Sequence, residues 1–120
     1  MTQLIAFLST GKGTWGHVSR LIEGIDNQKW GNVLLLTNAY GKENFKTASN
    51  VELIEIHEEM GIRELRDEIK EKLKDKISSE VGVNFVSGSG KEHMALMSAL
   101  MQLGVGFRLV AVTKDGAQEI

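Results

Sequence analysis

The chain has 120 residues, of which 42% are hydrophobic and 25% charged, and its formal net charge is −2 at pH 7. These values predict one globular domain spanning residues 1–120, and the slightly acidic charge argues against binding of duplex nucleic acid through a broad basic surface. The chain has no cysteine, which excludes disulfides and metal sites built on thiolates.

The amino-terminal residues do not have the pattern of a secretory signal. They lack a basic segment ahead of the apolar run, and that run is short. No stretch of the chain approaches the ~18 consecutive apolar residues of a membrane-spanning helix. We therefore expect a cytoplasmic protein with no membrane association.

Short apolar runs alternate with segments of helical periodicity along the whole chain. Nearly continuous apolar runs are typical of strands covered on both faces of a parallel sheet. Such strands are predicted at residues 3–8, 32–36, 51–56, 83–86 and 107–112. Helices are predicted between them at residues 18–25, 40–48, 61–78 and 91–103. Residues 117–120, after a turn, would form a brief sixth strand.

This alternation predicts an α/β fold, a Rossmann-like open parallel sheet of five strands, or six with the last segment, with helices on both faces. We expect the strand order 3-2-1-4-5, in which the direction of winding reverses between strands 1 and 4. In open α/β sheets, ligands bind beyond the carboxyl ends of the strands at such a reversal.

Two loops rich in small residues follow strands 1 and 4. The first loop, residues 9–17, reads STGKGTWGH, and the second loop, residues 87–91, reads SGSGK. The predicted reversal would bring them together, and the helices behind them would present backbone N–H groups to an anion such as a phosphate. The candidate ligand-binding residues are Ser9, Thr10, Gly11, Lys12, Gly13, Thr14, Trp15, Ser87, Gly88, Ser89, Gly90, Lys91 and His93. Trp15 would stack on a base, which is worth ~1–3 kcal/mol, although a packing role is the alternative.

Neither loop matches a standard nucleotide motif in full. Gly11, Gly13 and Gly16 fit G-x-G-x-x-G, but the end of the second strand lacks the acid that would hold a ribose in a dinucleotide fold. The second loop resembles the end of a P-loop, but Phe85 stands where the first glycine belongs and Glu92 where Ser or Thr would hold magnesium. No carboxylate cluster accompanies the loop histidines. We expect neither a cofactor nor a metal site.

The predicted helix at residues 91–103 is apolar on nearly all sides. Met94, Met97 and Met101 share one face, and leucines and alanines occupy another. A helix of this kind needs cover on both sides, and the sheet covers only one. A second copy related by a two-fold axis would supply the other cover, which predicts a homodimer through this helix. Coverage by the carboxyl-terminal tail is the alternative.

Residues 84–100, NFVSGSGKEHMALMSAL, followed by Leu103-Gly104 and Phe107-Arg-Leu-Val, resemble the strand-4 motif of CARF domains, the CRISPR-associated Rossmann-fold sensors. The first loop, within LSTGKGT, is similar to their strand-1 motif. The resemblance implies a homodimer that binds a cyclic oligoadenylate across its two-fold axis in antiviral signalling. It also implies that residues 9–12 and 87–91 line the site. The chain lacks the nuclease or helix-turn-helix module to which such domains are usually fused, which points to a stand-alone sensor or sponge.

Some relatives in that family cleave the ring without a metal, by positioning a ribose hydroxyl for in-line attack. If this chain does so, the resemblance makes Lys12, His17 and Lys91 the candidate catalytic residues, stabilising the developing charge. Two other classes stay open. Residues 13–18, GTWGHV, suggest the half-domain of a glycosyltransferase or another nucleotide-dependent complex that needs a partner chain. The other class is a structural subunit without a ligand.

Overall fold

The structure of the protein, a computed structural model, describes residues 3–9 and 13–120. The strands are β1 (Gln3–Phe7), β2 (Asn32–Thr37), β3 (Val51–Glu55), β4 (Glu80–Asn84), β5 (Gly106–Thr113) and β6 (Gly116–Glu119). The helices are α1 (Trp15–Ile22), α2 (Ala39–Asn44), α3 (Ile62–Leu73) and α4 (Gly90–Gln102). Within this described part of the chain, every helix is too short or too polar to cross a membrane.

The six strands form one mixed sheet in the order β3-β2-β1-β4-β5-β6. The first five are parallel to their neighbours, and β6 runs antiparallel to β5. The predicted α/β class is therefore confirmed. The sheet has six strands, the larger of the two expected numbers, and the expectation of an all-parallel sheet is corrected to a mixed one, because the turn after β5 folds the chain back onto that strand. The winding direction reverses at β1, which pairs with β2 on one side and β4 on the other.

Helices cover both faces of the sheet, and β1 shows why. Its residues are buried whichever way they point, with Ile5 and Phe7 in the layer under α3 and α4, and Leu4 and Ala6 in the layer under α1. Complete burial of a Leu, Ile or Phe side chain is worth roughly 1.5–3 kcal/mol. The continuous apolar run of β1 is thus the sequence of a central strand.

Several element boundaries differ from those expected, among them boundaries of β4, α1 and α3. The fourth strand occupies Glu80–Asn84 and not residues 83–86, because the side chain of Asn84 accepts a hydrogen bond from the backbone N–H of Val86 and bends the chain there. The first helix begins at Trp15, three residues before the expected start at residue 18. The third helix ends at Leu73, well short of residue 78. The Gln3 side chain binds the chain beyond that helix and fixes it in a non-helical path.

Candidate functional site

The carboxyl ends of β1 and β4 lie side by side, with Ala6 opposite Asn84. Beyond them, the backbone N–H of Ser9 donates to Ser87 Oγ over 2.9 Å. Ser87 is buried, so this bond is shielded from water. The structure therefore brings the first loop and the second loop into direct contact at the reversal of the sheet. Thr10, Gly11 and Lys12, which the sequence analysis also assigned to this site, lie outside the described residues.

The described side chains of the first loop border the junction, which is the contact between the two loops, and they also pack against the rest of the protein. Ser9 Oγ lies 3.3 Å from Thr14 Oγ1, and Trp15 Nε1 donates to the Ser9 carbonyl over 3.1 Å. The Trp15 ring meets Phe45 edge-on at 5.4 Å between centroids and Tyr40 at 6.1 Å. Gly13, in contrast, has open space where a side chain would begin. Trp15 therefore has the packing contacts that were the alternative to base stacking.

In the second loop, Ser89 begins α4 with a capping box. Its hydroxyl accepts from the N–H of Glu92, and the Glu92 carboxylate accepts from the N–H of Ser89 over 2.8 Å. Two of the donors at this helix start are thereby satisfied within the chain. The carboxylate also places a negative charge at the helix start. It competes there with any bound anion.

Lys91 points away from the second loop. Its ammonium donates to the backbone carbonyls of Glu58, at 2.5 Å, and Met60, at 2.7 Å, in the segment between β3 and α3. Two carbonyl oxygens thus hold the charge that the sequence analysis assigned to a ligand. Lys91 fastens the start of α4 to the neighbouring loop.

His93 lies beneath the second loop. Its Nε2 is 2.9 Å from the carbonyl oxygen of Ser87, so that nitrogen carries a proton and donates. Its ring contacts Phe7 and Phe85, with centroids 5.6 and 4.9 Å away. Gly88 crosses directly above, at φ +99°, and a Cβ there would lie 3.1 Å from His93 Nε2. His93 therefore supports the loop from inside.

His17 joins the junction through Asn84, a buried residue to which the sequence analysis gave no role in the site. Asn84 Nδ2 donates to the carbonyl of Val110 at 2.8 Å and lies 3.2 Å from His17 Nε2. Burial, with a smaller contribution from the positive charge of Arg20, lowers the pKa of His17 below its usual value. The sequence contains one signal for the role of Asn84, which is a polar side chain at the end of an otherwise apolar, buried strand.

A groove of about 740 Å³ lies elsewhere, along the β3 edge. It contains His57, whose Nδ1 is 2.6 Å from Glu68 Oε2. The hydrogen bond to Glu68 and the charge of that carboxylate raise the pKa of His57. The sequence alone does not reveal this partner. Two lysines reach across to the strand here: Lys72 of α3 donates to the Glu55 carbonyl, and Lys76, in the segment after α3, pairs with Glu52 at 2.8 Å. These contacts occupy the strand edge, which is a common protection against edge-to-edge association.

The outer face of α4 is apolar and open. The exposed fractions of Met94, Met97 and Met101 are 64%, 37% and 70%. A shallow groove of about 470 Å³ runs over them, and all its lining residues belong to α4. The carboxyl terminus pairs with β5, where the Ile120 N–H donates to the Leu109 carbonyl at 2.9 Å. The tail therefore does not supply the cover for this groove.

Comparison with protein-family models and with curated proteins gives no match for this sequence. The resemblance to CARF domains consequently stays a prediction from the two short motifs. Among residues 3–9 and 13–120, no group of three or more His, Asp or Glu side chains is placed to hold a metal ion. The site is therefore described by its loops, its hydrogen bonds and the α4 face alone.

Proposed function

We propose that the protein is a homodimer that binds a cyclic oligoadenylate and acts in CRISPR antiviral signalling as a sensor or sponge. The observation that carries the proposal is the contact between Ser9 and Ser87, which joins two small-residue loops at the reversal of the sheet. Reversals of this kind are where open α/β sheets bind ligands.

The start of α4 offers donors to a phosphate despite its capping box. That box uses the N–H groups of Ser89 and Glu92, and the N–H groups of Gly90 and Lys91 precede the first intrahelical bond, which His93 makes to Ser89. Gly90 has open space where a Cβ would stand, so a ligand can approach the backbone closely.

The α4 face supports the two-fold part of the proposal. Its exposed methionines are uncharged and can meet their own copies without repulsion, while the cations that border them, Arg63, Arg66 and Lys70, belong to α3. Since the second loop leads directly into α4, an α4–α4 contact would place both second loops near the axis. A ring-shaped ligand with repeating phosphates would then meet equivalent groups from both protomers.

Ligand binding is tested by thermal unfolding with cyclic tetra-adenylate, cyclic hexa-adenylate, linear oligoadenylate and UDP-sugars. A ring at 100 times its dissociation constant should add ~2.7 kcal/mol to the free energy of unfolding. Stabilisation by UDP-sugars alone would overturn the proposal in favour of a glycosyltransferase subunit. Stabilisation by none of them would favour the structural subunit. Accumulation of linear product in EDTA would add ring cleavage to binding.

The dimer is tested separately, by light scattering on Met101→Glu. This side chain is 70% exposed, so the charge should leave the fold of the protomer intact and dissociate the dimer. Ala39→Glu, at an exposed position of α2, is the matched control and should stay dimeric. A wild-type protein that is monomeric at all accessible concentrations would contradict the two-fold arrangement.

A further inference from the structure

The buried side chain of Asn84 has a fixed orientation. Its Oδ1 accepts from the N–H of Val86 at 3.2 Å, and its Nδ2 donates to the carbonyl of Val110 at 2.8 Å. A backbone N–H can only donate and a carbonyl can only accept. Exchanging the amide oxygen and nitrogen would therefore break both bonds, and Nδ2 must be the atom that faces His17.

This orientation decides which nitrogen of His17 carries the proton. Nε2 lies 3.2 Å from Asn84 Nδ2 and 3.5 Å from the backbone nitrogen of Val112, and both of these groups are donors. Only an unprotonated Nε2 can accept from them. A neutral ring with an unprotonated Nε2 holds its proton on Nδ1.

The charges around His17 also disfavour the imidazolium form. Arg20 lies on the same helix, and burial and this charge lower the pKa of His17. His17 is the third residue of α1, near the positive end of the helix. From β4 and β5 it faces an amide and a backbone N–H. In the described part of the chain, no carboxylate forms an ion pair with it.

The other nitrogen of His17 reaches solvent. No described residue accepts a hydrogen bond from Nδ1, whereas every buried side-chain nitrogen or oxygen of the described residues has a partner. Nδ1 is therefore accessible. It belongs to the helix that follows the first loop, and Asn84 connects it to the strand that precedes the second.

We propose that Asn84 is a positioning residue that locks His17 as the neutral Nδ1–H tautomer, so that this N–H donates to an oxygen of the bound nucleotide. The identity of the ligand rests on the proposed function. The fixed tautomer of His17 does not, because it depends only on contacts within the free protein. A locked neutral imidazole gives directional recognition at neutral pH without a charge. It does not serve as an acid in ring cleavage.

Nitrogen-15 NMR of the free wild-type protein tests the lock. We expect protonated Nδ1 and unprotonated Nε2 at pH 8, and a titration midpoint of His17 below about 6.5, the ordinary pKa of a histidine. A proton on Nε2, or a midpoint at or above that value, would overturn the proposal. Asn84→Asp should raise the pKa of His17 and move the proton to Nε2. Should that variant fail to fold, the wild-type spectrum alone decides.

Titration with cyclic oligoadenylate tests the donor. The Nδ1–H resonance of His17 should shift on binding, and His17→Phe should weaken affinity by about tenfold, the effect of one hydrogen bond of ~1.4 kcal/mol. If the ring binds with no change at His17, the donor role is wrong and the proposed function stands. If no ring binds, the proposed function and the donor role fail together, while the lock is still judged by the free protein.

Discussion

The two loops at the junction have similar compositions and different internal bonding. In the second loop, Ser89 caps α4, Lys91 holds carbonyls of the β3–α3 segment, and the Ser87 carbonyl receives His93. In the described part of the first loop, Gly13 borders open space and Thr14 makes no side-chain cap bond to α1. Residues rich in glycine, serine and lysine thus build a rigid second loop, whereas the described part of the first loop leaves open space at Gly13.

This difference shows that small polar residues after a strand do not by themselves make an anion site. Their donors are available only if the protein does not use them first, because each buried donor must find a partner. Most polar groups of the second loop form hydrogen bonds within the protein. We therefore expect substitutions of the bonded residues of the second loop to cost stability, and substitution of Gly13 in the first loop to affect binding more than stability.

The largest effect is expected for Gly88→Ala. Gly88 has φ +99°, and a Cβ would lie 3.1 Å from both Phe7 Cβ and His93 Nε2. Strain and crowding together should lower the free energy of unfolding by about 2–3 kcal/mol in urea denaturation. Gly90→Ala is the matched control, since its Cβ would meet open space, and it should be neutral or slightly stabilising. Equal effects at the two glycines would contradict the rigid second loop.

Lys91→Met should have the second-largest effect on stability. It removes an ammonium that holds two carbonyl oxygens while keeping the apolar stem, and should destabilise the protein by about 1.5–3 kcal/mol. Lys114→Met, in the exposed turn after β5, serves as the comparison. If the urea midpoint of Lys91→Met is unchanged and ring binding is lost, Lys91 binds the ligand and does not serve mainly to hold the backbone carbonyls.

Ser87→Ala tests the bond that joins the loops. Removing the hydroxyl takes the Ser87 acceptor from the Ser9 N–H in a partly buried setting, at a cost of about 1–2 kcal/mol. Amide hydrogen exchange at Ser9 should accelerate in the same variant. Unaltered exchange there would mean that another group protects this N–H and that the contact does not hold the junction together.

Ser89→Ala should cost about 1 kcal/mol, because it removes the helix cap. Ser89→Asp keeps an acceptor at the cap position and should recover most of that loss. Thermal unfolding of both variants provides the measurement. If Ser89→Asp is no better than Ser89→Ala, the capping box is not what fixes the start of α4.

Gly13→Ala should change stability least, by less than about 0.5 kcal/mol, since the added Cβ meets open space. In the same variant the affinity for the ring should fall, because a side chain would stand where a ligand approaches the backbone. Gly16→Ala, equally open and on α1, is the control and should leave affinity unchanged. Identical ring affinity in all three proteins would remove Gly13 from the site.

Much of the fold was predictable because it depends on local pattern. The nearly continuous apolar run of β1 is typical of a strand covered on both faces. The helical spacing of Ile62, Leu65, Ile69, Leu73 and Ile77 predicts one apolar face of α3; the structure buries Leu65, Ile69 and Leu73 and leaves Ile62, at the start of the helix, 40% exposed. The sequence did not predict the end of α3, because Gln3, more than 70 residues away, fixes the chain beyond it. Helical periodicity continues through Ile77 and carries no information about that contact.

The candidate site was predictable in place and not in detail. Alternation of strands and helices implied that the loops after β1 and β4 would meet, and the Ser9–Ser87 bond shows that they do. Which side chains face a ligand depends on partners distant in sequence. Lys91 bonds to Glu58 and Met60, and His17 to Asn84, across 31 to 67 residues of chain.

The class of fold, the position of the junction and the apolar character of α4 follow from the sequence alone, because each depends on periodicity and on residues close together in the chain. The roles of Lys91 and Ser89, which bond to the protein's own backbone, and of Asn84, which sets the proton of His17, emerge only in the folded protein. One cause accounts for all three roles. A polar group's role is set by whichever partner satisfies it, and folding brings that partner from elsewhere in the chain.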